Sequence, residues 1–385
     1  MKIAIFTDTF FPATDGVVTV ITNIAKSFAD KGHKIYIIAP KYTKEENFFY
    51  KNVKVFRIKS ISAPFYKDYK LSNFLNFSVL NYLKKERIDI VHAHSPASIG
   101  LFGAITAKYL GIPLIGTFHT FLGHPEYLKH IKMNGKLVQN ISWGIQRFFY
   151  NKCDLITCPS PSAKEELISH KFKKPIKVLS NGIDFSERDT KNLKRAKKDL
   201  NLGNDVLLFV GRIAYEKNLL YLLECFKIIL KKKKNAKLLI VGDGPQMKEL
   251  KEDIKKLNLS DNVVLAGRIE HNRLAESGIF KASKLFVTCS TTETQGITTL
   301  EAQLNGLVCV GIDARGIKDL IINNYNGYLI EEGNKKDFAK KVIKLLDNED
   351  LYLNMKKNTL REIKKHDLKK VISTWEKVYS GLLNG

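Results

Sequence analysis

Cysteine is scarce in this sequence, and long apolar runs are lacking. The chain has five cysteines, at Cys153, Cys158, Cys225, Cys289 and Cys309. They form no CxxC pair and no zinc-site spacing, which is typical of reduced core thiols and favours a cytosolic location. No stretch reaches about 18 consecutive apolar residues, so we expect no membrane-spanning helix. The opening MKIAIFTDTF turns polar at Thr7 and predicts a first strand rather than a signal peptide.

Acidic residues are also few relative to basic ones. Lys and Arg number 63 against 39 Asp and Glu, which gives a formal net charge of +24. So basic a chain is expected to attract nucleic acid, an acidic membrane surface or a phosphorylated ligand. The lysines are spread along the whole chain, so a solvated surface without any such partner explains them equally well. The sequence has no RRM, KH or helix-turn-helix signature, which argues against a nucleic-acid-binding protein.

Apolar strands alternate with helices in two successive series along the 385 residues. The first series predicts strands at 2–6, 34–40, 53–58, 89–94, 113–119 and 154–160, with helices around 17–31, 72–86, 97–110 and 135–151. The second predicts strands at 205–212, 237–243, 262–268, 284–290, 307–312 and 327–330. This alternation predicts an α/β fold with two doubly wound parallel sheets, in domains 1–179 and 180–367.

A last helix is expected at about 368–385. Its apolar face is formed by Val371, Trp375, Val378 and Tyr379. Two placements are open for it: it packs back on the first domain, or it is a simple terminal helix of the second.

Polar residues and glycines follow the predicted strands. Those singled out are Asp8, Gly16, His119, Asn181, Gly211, Arg212, Gly242, Asp243, Gly244 and Glu293. Ligands of doubly wound sheets bind beyond the carboxyl ends of the strands. We therefore expect a site in the cleft between the two halves.

The second half offers groups that suit a nucleotide sugar. Arg212 and Lys217 in GRIAYEKN can neutralise a diphosphate, although two solvated surface cations are the plainer explanation. In TTETQGITTLEA, we expect Glu293 just before a helix and Glu301 about one turn inside it. Either acid alone is explained by the helix dipole. Together they flank the N–H groups of Gly296 and Ile297, an order that suits hydroxyls, phosphate, hydroxyls.

The first half offers a glycine and three histidines. Gly16 stands at a loop-to-helix junction, where backbone N–H groups can bind an anion, but a turn residue is the commoner role. In HAHS, His92 and His94 are expected to face one side of a strand end, in structural or substrate-lining roles rather than as metal ligands. His119 follows a strand as a lone histidine, and a structural role and a site role are equally open for it.

These motifs, taken in order, resemble the retaining glycosyltransferases of family 4. The resemblance lies in TDTFFPATDGVVT, HAHS, TFHT, SNGID, GRIAYEKN, GDGP and the pair of glutamates in E-TQGITTL-E, and it spans essentially the whole chain. It implies the GT-B fold, with two Rossmann-like domains facing across a cleft. The first would bind the acceptor and the second the donor, without a bound catalytic metal or a tightly bound cofactor.

The resemblance also implies roles for individual residues. Glu293 would bind the donor sugar and Glu301 the ribose, Arg212 and Lys217 the diphosphate with Gly16, and His119 would lie at the reacting sugar. The wider donor-binding set adds Asn181, Gly244, Arg268, Gln295, Gly296 and Ile297. The acceptor-side candidates are Asp8, Asp15, His94 and Tyr127. The expected donor is a UDP-sugar or a GDP-sugar, with UDP-glucose favoured.

A narrower resemblance is to the diacylglycerol glucosyltransferases and related glycolipid synthases. It rests on FTDTFFPATDGVVT, TFHTFLGHPEYLKH and the Gln-Gly of ETQG. It implies a lipid acceptor and a protein peripheral to an anionic membrane, on the inner face of the cell membrane. The segment 121–150 suits such a surface, through Phe121, Tyr127, Trp143, Phe148, Phe149, Tyr150, Lys129, Lys132, Lys136 and Arg147. Ordinary amphipathic packing explains the same segment, and a soluble or polyprenyl-linked glycan acceptor is the alternative function.

Overall fold

The computed structural model describes residues 1–13, 15–42, 48–63, 66–73, 75–129, 135–189, 197–198 and 200–384. The chain forms two compact units. One comprises Met1–Gly182 together with Leu368–Gly385, and the other comprises Ile183–Asp367. The first unit thus ends at 182, where 179 was expected, and it includes the last helix.

The first unit is built on a parallel sheet with the strand order β3-β2-β1-β6-β7-β8-β9. Its strands are β1 (Lys2–Phe6), β2 (Lys34–Pro40), β3 (Val53–Ile58), β6 (Ile90–Ala93), β7 (Leu114–Thr117), β8 (Leu155–Cys158) and β9 (Ile176–Val178), with a separate antiparallel pair of β4 (Ser60–Ala63) and β5 (Tyr66–Ser72). Buried parallel strands read as continuous apolar runs, which is why the sequence located six of the seven strands of this sheet closely. The seventh, β9, has three residues, is only partly buried, and was not predicted.

Helices cover the first sheet and bury its core. They are α1 (Gly16–Asp30), α2 (Phe77–Glu86), α3 (Ser98–Leu110), α4 (Pro125–Leu128), α5 (Lys136–Tyr150) and α6 (Pro161–Ser169). The helix expected from about residue 72 begins only at Phe77, because Ser72 ends β5 and Asn76 caps the helix by accepting a hydrogen bond from Val79 N at 3.0 Å.

The second unit repeats the design, with the strand order β12-β11-β10-β13-β14-β15. Its strands are β10 (Val206–Val210), β11 (Lys237–Val241), β12 (Val263–Gly267), β13 (Leu285–Thr288), β14 (Val308–Ile312) and β15 (Gly327–Ile330). Its helices are α7 (Leu219–Leu230), α8 (Met247–Lys256), α9 (His271–Leu274), α10 (Ile279–Ala282), α11 (Ile297–Leu304), α12 (Arg315–Lys318), α13 (Lys335–Asp347) and α14 (Glu349–Glu362). All its paired strands are parallel, so the prediction of two doubly wound α/β sheets is confirmed.

The final helix, α15 (Leu368–Leu383), belongs to the first unit. It buries Val371, Trp375, Val378 and Tyr379, the apolar face expected from the sequence. Glu376 forms an ion pair with Lys31, just beyond α1, at 2.6 Å. The alternative of a terminal helix on the second unit is therefore wrong.

Two expectations from composition can be compared with this fold. All five cysteines are buried and have free thiols, as predicted. Across the described ranges, no helix is both long enough and apolar enough to cross a membrane.

Candidate functional site

Two loops lie together at the carboxyl edge of the second sheet. The loop after β10 begins at Gly211, whose N–H donates to Val241 O at 3.0 Å, and Ile213 N donates to Asp243 O at 2.9 Å. Gly244 has no room for a side chain, because a Cβ there would lie 2.3 Å from Ile213 O. The GDGP sequence thus fixes the loop that carries Arg212 and Lys217.

Lys217 and Glu293 form an ion pair in this loop region. Lys217 ends a 3-10 turn (Tyr215–Lys217), and its Nζ donates to Glu293 Oε1. Both side chains are largely buried, with exposed fractions of 16% and 19%. Burial alone would lower the pKa of Lys217, but the charges of Glu293 and Glu216 outweigh it and raise that pKa above its ordinary value. Lys217 is therefore a fixed cation. Its charge is balanced by Glu293, the carboxylate expected to bind the sugar.

Helix α11 begins directly after this pair. The predicted arrangement is confirmed: Glu293 precedes the helix and Glu301 lies in its second turn. Gly296 is its N-cap with φ of 88°, a conformation that favours glycine, and no side chain of the described residues caps the helix. Its first N–H groups and its dipole are thus suited to an anion.

Glu301 and Gln295 are buried beside this helix start, with exposed fractions of 6% and 2%. Glu301 borders a small cavity of the second unit, lined on its apolar side by Ile183, Leu274, Phe280 and Leu304. A carboxylate beside an apolar cavity can accept hydrogen bonds from a hydroxyl-bearing group and orient it.

Arg315 supports the Glu293 loop and was missed in the sequence. Its Nη1 donates to Thr291 O at 2.9 Å, and Gly316 N donates to Glu293 O at 2.9 Å. Arg315 has φ of 39°, a strained value for a residue with a side chain. Since Arg315 follows β14, the strand-end rule that pointed to Glu293 could have found it too.

The other donor-side candidates are placed as follows. Arg212 is half-buried next to Gly211, and Ile297 is the first residue of α11. Arg268 is exposed and forms an ion pair with Glu270 at 3.2 Å. Asn181 is half-buried after β9 and belongs to the first unit, not to the second as its grouping with 180–367 implied.

The carboxyl edge of the first sheet holds three histidines in contact. Nδ1 of His94 lies 2.8 Å from Nε2 of His119, so His119 is not the lone histidine that the sequence suggested. The rings of His92 and His94 lie 4.0 Å apart, which confirms that both face one side. Nδ1 of His92 contacts the hydroxyl of Tyr379 at 2.8 Å, and its Nε2 contacts Thr117 Oγ1 at 2.6 Å.

Burial keeps these imidazoles neutral. It lowers the pKa of His92 and of His119 to about 3 and that of His94 well below 6.5. In the described ranges, no three His, Cys, Asp or Glu residues are grouped so as to hold a metal ion. The histidines therefore act as hydrogen-bonding groups at pH 7.

Two acceptor-side candidates accept hydrogen bonds from the first turns of helices. Asp8 is 2% exposed and accepts hydrogen bonds from Ser98 Oγ at 2.8 Å and Ile99 N at 2.9 Å, so it stabilises the start of α3. Asp15 caps α1 through Val18 N at 2.9 Å. Asp15 nevertheless lies exposed beside Gly16, which begins α1, whereas Asp8 has little surface left for a ligand. The fourth candidate, Tyr127, is half-buried in α4.

Most aromatic residues expected at a membrane surface lie in the core instead. Phe121, Trp143, Phe149 and Tyr150 are at most 6% exposed, so ordinary packing accounts for them. Lys132 lies outside the described residues. The opposite face of α5 exposes large apolar side chains that were not singled out. These are Leu137, Ile141, Ile145 and, from the expected set, Phe148, with exposed fractions of 72%, 54%, 59% and 63%.

Each half of this chain matches the model of a known protein family. The family model described as Glycosyltransferase Family 4 matches residues 14–187, and that described as Glycosyl transferases group 1 matches residues 190–362. The alpha-monoglucosyldiacylglycerol synthase of Streptococcus pneumoniae is 31% identical over 337 residues, which cover 86% of this chain and 75% of that protein.

Two further relatives widen the comparison. The UDP-Gal:alpha-D-GlcNAc-diphosphoundecaprenol alpha-1,3-galactosyltransferase of Escherichia coli is 32% identical over 297 residues, which cover 74% of this chain and 73% of that protein. Among solved structures, HepE from Anabaena in complex with UDP and glucose has a TM-score of 0.77 at 17% identity, covering 99% of this chain and 100% of that one. The structural likeness agrees with the expected GT-B fold. This chain therefore belongs to glycosyltransferase family 4.

Proposed function

We propose that this glycosyltransferase moves a hexose, with retention of anomeric configuration, from UDP-glucose to 1,2-diacylglycerol at an anionic membrane surface. The product is an α-glucosyl-diacylglycerol. The observation that carries the proposal is the exposed apolar face of α5, because a soluble acceptor gives no reason for it. The monoglucosyldiacylglycerol synthase of S. pneumoniae, similar over most of its length, supports the same acceptor.

The second unit supplies the donor side of this reaction. The bond between the sugar C1 and the diphosphate oxygen breaks, and the acceptor oxygen bonds to C1 from the same face while its proton passes to the departing diphosphate. Arg212, Lys217 and the N–H groups at the start of α11 would stabilise the charge that grows on that diphosphate. Glu293 would bind the sugar hydroxyls, and His119 of the first unit would act at the same sugar. Because fixed cations take this charge, we expect turnover to persist in EDTA.

The exposed face of α5 supports a membrane surface as the place of the acceptor. Leu137, Ile141, Ile145 and Phe148 are spaced by three or four residues and so share one side of the helix. Lys136 at the start of α5 and Lys152 just after it are exposed, and Lys152 Nζ lies 4.3 Å from the Phe148 ring centre. An apolar helix face with flanking cations is the pattern of helices that lie in an anionic lipid interface.

Liposome binding and product partition test the proposal. Wild-type protein should sediment with anionic liposomes containing diacylglycerol, release in high salt, and deposit labelled α-glucoside in the lipid phase from UDP-glucose. The double substitution Ile145→Ser with Phe148→Ser should abolish sedimentation and reduce lipid product about tenfold. It should keep turnover on diacylglycerol dispersed in detergent. Leu353→Ser, at a 51% exposed position of the second unit, is the matched control and should change neither.

A glycan acceptor is the second candidate, favoured by the similarity to the E. coli diphosphoundecaprenol-linked galactosyltransferase. A screen of UDP- and GDP-sugars against diacylglycerol and polyprenyl-diphosphate glycans separates the two, with NMR assignment of the product anomer. Turnover confined to the glycan acceptors would replace the lipid proposal. An inverted anomer would refute retention.

A further inference from the structure

His119 is the half-buried member of the three-histidine group, and it rests on His94. The two rings are nearly parallel, at 14° to each other, with Nδ1 of His94 and Nε2 of His119 2.8 Å apart. At this distance the two nitrogens form a hydrogen bond, in which one carries the proton and donates and the other accepts. Since burial keeps both rings neutral at pH 7, each carries a single proton, and two tautomer arrangements satisfy the contact.

The surroundings of His94 distinguish the two arrangements. His94 is 2% exposed, and within the part of the chain that the structure describes its Nε2 is buried without a hydrogen-bond partner. If His119 donated, His94 would carry its proton on that Nε2, which leaves a buried N–H without an acceptor. If His94 donates from Nδ1, only a lone pair is left, and buried donors without partners are the rarer of the two in proteins. The second arrangement is favoured.

His92 keeps the His94 ring in place. It lies against that ring and is itself held at both nitrogens, by Tyr379 of α15 and by Thr117 of β7. The ring of Trp375 also lies against His92, with the ring centres 4.9 Å apart. The ring of His94 therefore has a fixed orientation in which to donate.

We propose that His94 is a positioning residue that holds His119 as the Nδ1–H tautomer, so that His119 presents a hydrogen-bond donor to the transferred sugar. The role at the sugar rests on the proposed function, whereas the tautomer does not. The fixed donor would give a hydrogen bond to a sugar oxygen, whereas a lone pair at the same place could only accept one from a sugar hydroxyl.

Histidine NMR tests the tautomer without any substrate. The full chain, labelled with ¹⁵N-histidine, is examined by long-range ¹⁵N–¹H correlation at pH 7, and His119 is assigned by loss of its signals in His119→Asn. We expect the proton of His119 on Nδ1. A proton on Nε2 would overturn the proposal.

Two matched variants test the positioning. The amide nitrogen of His94→Asn takes the place of Nδ1, whereas that of His94→Gln takes the place of Nε2. With UDP-glucose and diacylglycerol, His94→Asn should keep kcat within about threefold of wild type. His94→Gln should lower kcat about tenfold or more at an unchanged donor KM, and shift the His119 tautomer signal. Equal losses in both variants, with the tautomer unchanged, would refute positioning. If wild type transfers no sugar to any acceptor tested, the proposed function fails and the NMR result alone decides the tautomer.

Discussion

The two units share one sheet design and differ in what they place at its carboxyl edge. In both sheets the strand order reverses beside the first strand, at β1 and at β10. The first unit places three neutral imidazoles there, and the second places the ion pair of Lys217 and Glu293. The topology determines where the carboxyl edge of each sheet lies, but it does not determine the charge of the residues there.

The difference shows what determines whether a buried group stays charged. Burial, reinforced for His92 and His94 by the neighbouring imidazoles, lowers the pKa values of His92, His94 and His119. Lys217 is also buried, but the nearby carboxylates of Glu293 and Glu216 reverse the shift. The neutral edge, formed by the three histidines of the first unit, can position hydroxyls. The charged edge, formed by Lys217 and Glu293 of the second unit, can hold a diphosphate.

Neutralising the charged edge should have the largest effect. Glu293→Gln keeps an acceptor for Lys217 but removes the charge, so kcat should fall on the order of 10²–10³-fold while the fold survives. Steady-state kinetics and circular dichroism measure the two quantities. The control is Glu349→Gln, which removes a 59% exposed carboxylate that pairs with Lys284 and should leave kcat unchanged. Near-normal turnover in Glu293→Gln would contradict the donor-site assignment.

Displacing the loop of the charged edge should cost stability. Gly244→Ala places a Cβ 2.3 Å from Ile213 O and should destabilise the second unit by about 1–3 kcal/mol, seen as faster hydrogen exchange in β10 and β11. Gly203→Ala is the control, since its Cβ would meet its nearest atom, Asn235 O, at 3.9 Å. Equal exchange in the two variants would disprove the close fit of the loops.

Acid should weaken the neutral edge. The folded pKa of His92 and of His119 is about 3, below the unfolded value of 6.5, so the unfolded chain binds more protons in this window. Stability should therefore fall as the pH drops below about 6.5, by up to about 1.4 kcal/mol per pH unit for each histidine. Burial raises the pKa of Asp8, which has the opposite effect on the stability but involves only one proton.

The tryptophans allow a clean measurement of that acid effect. Both of them, Trp143 and Trp375, lie in the first unit, so their fluorescence in urea reports on it alone. The midpoint at pH 5 should lie below that at pH 7, and His92→Asn should reduce the difference. Equal midpoints in wild type would show that the histidines are not held neutral.

The smallest expected effect is the loss of one hydroxyl from the neutral edge. Tyr379→Phe removes the hydrogen bond to His92 and should destabilise the first unit by about 1 kcal/mol, measured by the same fluorescence. Tyr109→Phe, at a 56% exposed position, should shift stability by less than about 0.5 kcal/mol. A loss no larger than in that control would mean that the contact contributes nothing.

The sequence predicted the sheets well because their strands are buried and parallel. The edge strand β9 was missed because it has only three residues. The pair β4 and β5 was missed because its strands are polar and paired only with each other. The strand-end rule also found most of the candidate site, because parallel strands deliver their carboxyl ends to one edge. Asp15 could have been recognised as a cap from its place before α1.

Contacts between distant residues could not be predicted in this way. Lys217 and Glu293 are 76 residues apart, and Asp8 and Ser98 are 90 apart, so their pairing depends on the finished fold. The surface exposure expected for the aromatic rings of segment 121–150 was wrong for a related reason. Composition marks a helix as amphipathic, but only tertiary packing decides which rings are buried.

The position of α15 makes the second unit an insertion within the first. The chain leaves the first unit at Gly182 and returns to it at Leu368. The two ends of the inserted unit meet, since Ile183 N donates to His366 O at 2.8 Å. Residues 183–367 thus form a cassette with adjacent termini, which could be exchanged between family members to give chimeras that combine the first unit of one enzyme with the second unit of another.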